Sequence, residues 1–174
     1  MAKTLEAGDI LPGAQLEPVG DGPPVRVGSN RQESQVLIVT HGDPCDECAE
    51  YVRSFGELAD VMRKQKATIV AIMGEAWKDE GGSFPVKAVV GDGPIVWRLA
   101  PDKTPVVAVA DRYGQIFRRV DAGDDHAFPE QDEIAGTLLD IAIRCPECGV
   151  PDVPGVDVLP EEGAQSGGMS LGRG

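Results

Sequence analysis

The sequence predicts an α/β domain in which helices pack against a mixed central β-sheet. Two β-branched apolar runs, at residues 35–40 and 67–73, have the composition of buried strands and are separated by a helical pattern. In the segment 106–120, two further strand patterns flank a turn at residues 111–114, which is typical of an antiparallel hairpin. A final helical pattern follows this hairpin. Such alternation of strands and helices favours a sheet flanked by helices.

The remaining elements are predicted from shorter patterns of the same kind. A helical pattern runs from the first cysteines to about Lys66, with Val52 and Phe55 on its apolar face. Asp43 is expected to cap this helix, since an aspartate side chain accepts hydrogen bonds from the N–H groups of a first turn. The first third of the chain is otherwise predicted to be rich in loops. The other predicted elements are a strand at 25–27, a stretch at 75–85 that is a loop or ends in one, a strand at 86–90, one or two helical turns at 94–100 and a helix at 132–144.

Length and charge narrow the classes of function. The 174 residues fit one domain, which we expect at residues 1–150, followed by a Pro/Gly-rich flexible tail at residues 151–174. Sixteen lysines and arginines against 29 aspartates and glutamates give a net charge of −13, so neither nucleic acid nor an anionic membrane is an expected partner. The apolar runs are too short to span a bilayer. Because the N-terminal residues lack an apolar signal core, a cytoplasmic location is expected.

The four cysteines form two closely spaced pairs, Cys45-Asp-Glu-Cys48 and Cys145-Pro-Glu-Cys148. In a cytoplasmic chain such pairs indicate redox chemistry or metal binding more often than structural disulfides. Cys45 follows a buried strand and opens a helix, where backbone N–H groups and the helix dipole favour a thiolate. Cys48 is close enough to attack a mixed disulfide on Cys45. Cys45 and Cys48 are therefore the predicted catalytic pair, with metal ligation or two idle buried thiols as the alternatives.

The acidic residues around this pair bear on the direction of electron flow. The negative charges of Asp46 and Glu47 are expected to raise the pKa of a neighbouring thiol. Because a less stable thiolate destabilises the reduced form, the dithiol becomes a better reductant. The sulfurs themselves carry the electrons in such exchange, so no cofactor and no metal are expected at the site. His41 and Glu47 are candidates to carry protons, although a histidine in a loop is often only solvated. Asp124 and Asp125 are expected to be solvated charges.

Three features together carry a resemblance to a known family: the strand from Val36, Cys45-x-x-Cys48 soon after it, and Thr104-Pro105 at the start of the hairpin. In their order and separation they resemble the thioredoxin-like superfamily, specifically its redoxin branch near the peroxiredoxins, over about residues 5–144. The resemblance implies a thioredoxin-like fold and a thiol–disulfide oxidoreductase. It also implies a protein or low-molecular-weight disulfide as substrate, a reducing partner and a homodimer as one possible assembly.

The same resemblance assigns a substrate platform. The family's proline before the hairpin strand is cis and faces the cysteines, which implies that role for Pro105, with the Thr104 backbone pairing with the substrate. Pro44 stands where the family usually has an aromatic residue before the first cysteine, and it completes the predicted substrate-binding set. An ordinary trans proline at a strand start is the alternative for Pro105.

Two other functions remain open. A thiol peroxidase of the peroxiredoxin type is the first, with Cys48 in the place of the peroxide-attacking thiol. The family's other peroxide-activating residues are then not matched, because Cys45 occupies the Thr/Ser position, His41 occupies the proline position, and the arginine would fall near Pro105. Peroxide reduction needs a cation and a hydroxyl beside the attacking thiol. The second alternative is a metal-binding or interaction module in which the cysteines are ligands.

The second pair, Cys145 and Cys148, ends the last predicted helix. In the resembling fold this helix runs away from the active-site edge of the sheet, so one zinc ion bound by all four sulfurs is not expected. Three roles stay open for this pair: a second dithiol that relays electrons, with the Cys45–Cys48 pair of a neighbouring subunit as one acceptor; a ligand pair for metal shared with another chain; or a local disulfide that closes the helix end.

Overall fold

The described residues fold around a seven-stranded mixed sheet. The computed structural model describes residues 3–28, 33–64, 66–80, 84–91 and 93–144. The strands are β1 (Ala14–Pro18), β2 (Val25–Val27), β3 (Ser34–Val39), β4 (Ala67–Met73), β5 (Lys87–Val90), β6 (Val106–Ala110) and β7 (Ile116–Asp121). The helices are α1 (Asp46–Ser54), α2 (Gly56–Lys64), α3 (Pro94–Leu99) and α4 (Gln131–Ile143), with a 3₁₀ helix at Glu75–Glu80.

Strand order places β3 between β4 and β6 near the middle of the sheet. The order is β2-β1-β5-β4-β3-β6-β7. β3 pairs with β4 in parallel and with β6 in antiparallel fashion, so that Val39 lies beside Ile72 on one side and Val106 on the other. β6 and β7 form the antiparallel hairpin predicted from the sequence, at one edge of the sheet. The mixed sheet with flanking helices confirms the predicted fold class.

Two apolar cores cover the two faces of the sheet. Successive residues of β3 alternate between them, because side chains of a strand point to opposite faces. Leu37 and Val39 pack in the core that includes α3, whereas Val36 and Ile38 pack in the core formed with α1, α2 and α4. With both faces covered, β3 is an unbroken apolar run rather than an alternating one, which is the pattern that predicted a buried strand here.

Three local features differ from the expectations. β1 was not predicted within the loop-rich first third, because only Leu16 of its five residues is buried and its pattern is weak. The single helix to Lys66 is two helices, interrupted at Phe55 and followed by Gly56, a weak helix former. Finally, Cys45 rather than Asp43 is the N-cap residue of α1, and no side chain caps it by a hydrogen bond.

Some predictions concern residues that the structure does not describe. The domain boundary at residue 150, the tail at residues 151–174 and the pair Cys145 and Cys148 all lie beyond the described residues. They stay predictions. In the part of the chain that is described, no helix combines the length and apolar character needed to cross a membrane.

Candidate active site

Cys45 and Cys48 lie where β3 gives way to α1. Cys45 has an extended backbone, with φ −143° and ψ 126°, and immediately precedes the first helical residue. Cys48 is in the first turn of α1 and is completely buried, whereas Cys45 is partly exposed. Both thiols are free. A partly exposed first sulfur and a buried second sulfur form the arrangement that disulfide exchange requires.

The loop that leads to Cys45 is held against the end of β4. Trp77 is buried and donates its indole N–H to the backbone carbonyl of His41 at 3.1 Å. Gly74 packs so closely on Gly42 that a Cβ atom at Gly74 would overlap the Gly42 carbonyl. A glycine at position 74 is therefore needed for this close approach of two backbones. These two contacts fix the loop that leads to Cys45 in place.

Each thiol contacts one imidazole ring. The Sγ atom of Cys45 lies 3.1 Å from Nε2 of His126, and the Sγ atom of Cys48 lies 3.4 Å from Nδ1 of His41. The two rings meet edge to face, with centroids 5.0 Å apart. One nitrogen from each ring and both sulfurs lie within 4.8 Å of one another. His41 and His126 are the only histidines of the chain, and both are at this site.

Aromatic packing positions His126. The residue lies in the loop between β7 and α4 and has a left-handed backbone, with φ 55°. The ring of Phe128, two residues later, stacks on Tyr51 of α1 with centroids 4.1 Å apart and planes 6° from parallel. The Tyr51 hydroxyl donates to the carbonyl of Pro129 at 2.9 Å. Burial raises the pKa of this phenol, which keeps it protonated as a donor. The histidine loop is thus fastened to the helix that carries Cys48.

The electrostatics of the two sulfurs differ. Burial raises the pKa of the Cys48 thiol to about 12, and a hydrogen bond with the His41 backbone opposes this in part. Glu47 accepts a hydrogen bond from the Cys45 thiol at 3.3 Å. The pKa of the Glu47 carboxyl is lowered by a backbone hydrogen bond first and then by the Cys45 contact. Cys48 is therefore a protonated thiol at neutral pH until a base takes its proton.

An open cavity of about 700 Å³ adjoins Cys45. Its walls include Pro44, Cys45, Trp97, Ala100 and Lys103. Trp97 is 57% exposed at the cavity wall, whereas Trp77 is buried behind the loop. The cavity offers an apolar aromatic surface beside the more accessible of the two sulfurs.

The predicted platform residues Thr104 and Pro105 do not line this cavity, although Lys103 just before them does. The expectation of a cis bond before Pro105 was wrong: all peptide bonds of the described residues, including Thr104–Pro105, are trans. The trans form is the intrinsically preferred one even before proline. Pro105 is buried, and its carbonyl accepts a hydrogen bond from the Ala122 N–H at 2.9 Å. Its contact is thus with the end of the hairpin.

The sequence predicted no role for His126, and for Asp124 it predicted only a solvated charge. The Asp124 carboxylate lies 3.6 Å from Nε2 of His41, although its side chain is 89% exposed. The only sequence signal for His126 was that the chain has just two histidines. His41 itself was named as a proton carrier, and its ring does face Cys48.

Known structures share this fold. The chain is similar to a peroxiredoxin-like protein from Aquifex aeolicus, with 15% identity and a TM-score of 0.64 over 80% of this chain and 90% of that one. It is similar to the exposed lipoprotein thioredoxin Etrx1 of Streptococcus pneumoniae, with 18% identity and a TM-score of 0.60 over 74% and 99% of the two chains. A third is the peroxidoxin BcpB of Mycobacterium tuberculosis, with 19% identity and a TM-score of 0.58 over 81% and 99%.

Sequence comparison adds nothing to these structural matches. No family model matches the chain, and no curated protein matches it. The structural matches show a thioredoxin-like fold, which confirms the fold implied by the resemblance of the cysteine motif and the hairpin. At these low identities they carry the fold alone, and function has to be argued from the site.

Proposed function

We propose that this thioredoxin-fold chain is a thiol–disulfide oxidoreductase in which Cys45 attacks and Cys48 resolves. One observation carries the proposal: each thiol of the Cys45-x-x-Cys48 pair has its own imidazole, at 3.1 Å for Cys45 and 3.4 Å for Cys48. Imidazole is the side chain best suited to exchange protons near neutral pH. The burial order of the sulfurs supports the same assignment.

The first step uses the partly exposed thiol. His126 takes the Cys45 proton, and the thiolate attacks one sulfur of a substrate disulfide. A bond forms between Cys45 and that sulfur, the substrate S–S bond breaks, and the departing thiolate takes up a proton. The cavity beside Cys45, with Pro44 and Trp97 in its walls, is the proposed binding surface for the rest of the substrate.

The second step uses the buried thiol. His41 accepts the Cys48 proton at Nδ1, while Asp124 near Nε2 favours the tautomer that carries a proton on Nε2. The Cys48 thiolate attacks the Cys45 sulfur, and the second substrate thiolate leaves and is protonated. The substrate disulfide has then gained two electrons, and the protein pair is a disulfide.

Electrostatics support the reducing direction. A strongly oxidising pair is one whose reduced form is stabilised. Here burial raises the pKa of the Cys48 thiol, and the nearby Glu47 carboxylate adds to this effect. Both contributions destabilise the Cys48 thiolate of the reduced protein and favour the disulfide, which makes the dithiol a reductant.

The contacts of the sulfurs favour exchange over peroxide reduction. The side chains against them are imidazoles and a carboxylate, from His41, His126 and Glu47. Arg118 and Arg119 are paired elsewhere, with Glu133 at 3.0 Å and Asp121 at 2.5 Å respectively. A peroxidase would need a cation and a hydroxyl donor at the attacking thiol to stabilise the departing oxygen. Peroxide reduction is therefore the weaker candidate.

A redox titration tests the proposal. The protein, freed of metal, carries Cys145→Ser and Cys148→Ser so that only Cys45 and Cys48 respond. It is equilibrated in buffers of reduced and oxidised glutathione, trapped by alkylation and mapped by mass. Closure of Cys45–Cys48 in one reversible two-electron step supports exchange catalysis. Two thiols that stay free across the whole glutathione range would rule it out.

The expected partners follow from this chemistry. A protein or low-molecular-weight disulfide would be the substrate, and a separate reducing partner would regenerate the dithiol. A homodimer and an electron relay through Cys145 and Cys148 are further proposals that rest on the sequence. A cytoplasmic location likewise stays a prediction.

A further inference from the structure

Four metal-ligating side chains converge at the cysteine pair. His41, Cys45 and Cys48 come from the loop and first turn after β3, and His126 comes from the loop after β7. Their four donor atoms, two sulfurs and two ring nitrogens, lie within 4.8 Å of one another. Cys48 is buried and the other three are partly buried, so the cluster lies at the protein surface but is not freely solvated.

The spacing of these atoms is close to that of a tetrahedral metal site. Zinc–sulfur bonds of about 2.3 Å and zinc–nitrogen bonds of about 2.0–2.1 Å place neighbouring sulfur and nitrogen ligands about 3.6 Å apart and two sulfurs about 3.8 Å apart. The two observed sulfur–nitrogen distances are 3.1 and 3.4 Å. All four donor atoms lie within 4.8 Å of one another, so no pair has to close by more than about 1.5 Å to reach a tetrahedral arrangement. All of these side chains except Cys48 are only partly buried, so rotation about their side-chain bonds is the proposed source of the shift.

An outer partner is also in place. His41 turns Nδ1 towards Cys48 and Nε2 towards the Asp124 carboxylate, 3.6 Å away. A carboxylate against the non-ligating nitrogen is the arrangement that fixes the tautomer and orientation of a metal-bound histidine. His126 is held in turn by its loop, whose Phe128 ring stacks on Tyr51.

We propose that the reduced protein binds one Zn²⁺ ion through Cys45, Cys48, His41 and His126. Two thiolates and two imidazoles in a tetrahedral arrangement select zinc among the common divalent ions, whereas magnesium and calcium prefer oxygen. Because the protein supplies all four ligands, the site is of the closed kind that holds zinc without a position for a substrate. Zinc binding goes beyond the proposed exchange activity and does not require it.

Zinc binding and disulfide formation exclude each other at this site. Binding converts two thiols and Zn²⁺ into a zinc dithiolate with release of two protons. A low-molecular-weight disulfide RSSR, with two protons, would convert the zinc dithiolate into the Cys45–Cys48 disulfide, two RSH and free Zn²⁺. In that step the cysteine pair loses two electrons and RSSR gains them, while the charge of the zinc ion is unchanged. The metal therefore shields the dithiol until an oxidant displaces it.

The test is a zinc titration of the full chain that carries Cys145→Ser and Cys148→Ser, so that the second pair contributes no ligand. Reduced protein competes for Zn²⁺ with a chromogenic chelator. We expect one equivalent of zinc per chain. His126→Asn is the decisive variant, since asparagine tolerates the left-handed backbone at this position. It is expected to weaken zinc binding more than 100-fold, beyond the 10–100-fold typical of losing an outer partner.

Further measurements distinguish a zinc site with four protein ligands from zinc bound by the two cysteines alone. His41→Asn is expected to weaken binding as His126→Asn does. Asp124→Asn is expected to weaken it less, and Asp125→Asn, which removes a neighbouring charge, to leave it unchanged. Co²⁺ in place of zinc is expected to give the visible spectrum of tetrahedral thiolate coordination.

Two results would overturn the proposal. One is the absence of stoichiometric zinc in the reduced protein, and the other is an affinity that neither histidine substitution changes. Since the glutathione titration uses metal-free protein, its outcome and that of the zinc titration are read separately.

Discussion

The Nε2 atom of His126 lies 3.1 Å from the Sγ atom of Cys45, although 81 positions separate the two residues in the chain. The contact joins the loop after β7 to the N-terminus of α1. It exists because β6 pairs with β3 and β7 pairs with β6 in the sheet, and because Phe128 stacks on Tyr51. A basic nitrogen is thereby placed against the thiol proposed to attack substrate.

Replacing this histidine tests its role as a base. His126→Asn is expected to lower the rate of disulfide reduction about 100-fold or more, within the range for loss of a general base. The measurement is the single-turnover rate of oxidation of the metal-free dithiol by a low-molecular-weight disulfide at neutral pH. Asp125→Asn is the matched control and is expected to keep the rate. An unchanged rate in His126→Asn would remove the imidazole from the attacking step.

The order of the two sulfurs can be tested by trapping. Cys48→Ser leaves Cys45 able to attack but removes the resolving thiol, so a mixed disulfide with substrate should accumulate. Cys45→Ser should form little, because Cys48 is completely buried and burial raises the pKa of its thiol to about 12. Mass spectrometry of the quenched reactions measures both adducts. Equal trapping by the two variants, or trapping on Cys48 alone, would contradict the assignment.

The packing of Gly74 on Gly42 is expected to be costly to disturb. Gly74→Ala puts a methyl group onto the Gly42 carbonyl, and overpacking of this kind typically costs about 1–3 kcal/mol of the free energy of unfolding. Urea denaturation gives the value. The matched control is Gly136→Ala on the exposed side of α4, where nothing lies near the added methyl group. Helix propensity predicts a gain of up to about 1 kcal/mol there. Equal effects in the two variants would show that the contact with Gly42 imposes no constraint.

The Asp9 carboxylate predicts a pH dependence of stability. The Glu6 N–H donates to it at 2.9 Å and so does the Lys3 ammonium group, and these contacts lower its pKa below the ordinary 3.8. A lowered folded-state pKa means stability that is present above pH 3.8 and is lost as the pH falls through the folded-state value. Asp9→Asn should therefore lower the urea midpoint at neutral pH and flatten its fall in acid.

The control for this pH experiment is Asp102→Asn, which changes another exposed aspartate. It is expected to leave the fall of the urea midpoint at acidic pH the same as in the unmodified protein. If Asp9→Asn kept the same fall as well, the carboxylate would contribute nothing to the pH dependence.

Sequence patterns predicted the centre of the fold well because both faces of β3 and β4 are buried. Such strands appear as unbroken β-branched runs, and the hairpin was marked by a turn between two apolar segments. β1 escaped prediction because a strand with one buried residue has little pattern. Local signals were strongest where burial was most complete.

The candidate site was predictable only in part. The position of Cys45 and Cys48 at a strand-to-helix junction followed from local sequence. The contact with His126 did not, because it depends on strand order and on the Phe128–Tyr51 stack, neither of which has a local signal. The trans bond before Pro105 was mispredicted because the family resemblance, rather than a local pattern, supplied the expectation.

The stack of Phe128 on Tyr51 also makes the reactivity of Cys45 depend on native packing. Tyr51 lies three residues beyond Cys48 on the same helix, and Phe128 lies two residues beyond His126. Any fluctuation that separates the two rings frees the histidine loop from the helix while the central strands can stay paired. The chemical reactivity of Cys45 would then fall before circular dichroism records any loss of secondary structure. Labelling of the Cys45 thiol would thus detect local opening of the histidine loop that does not appear in global unfolding curves.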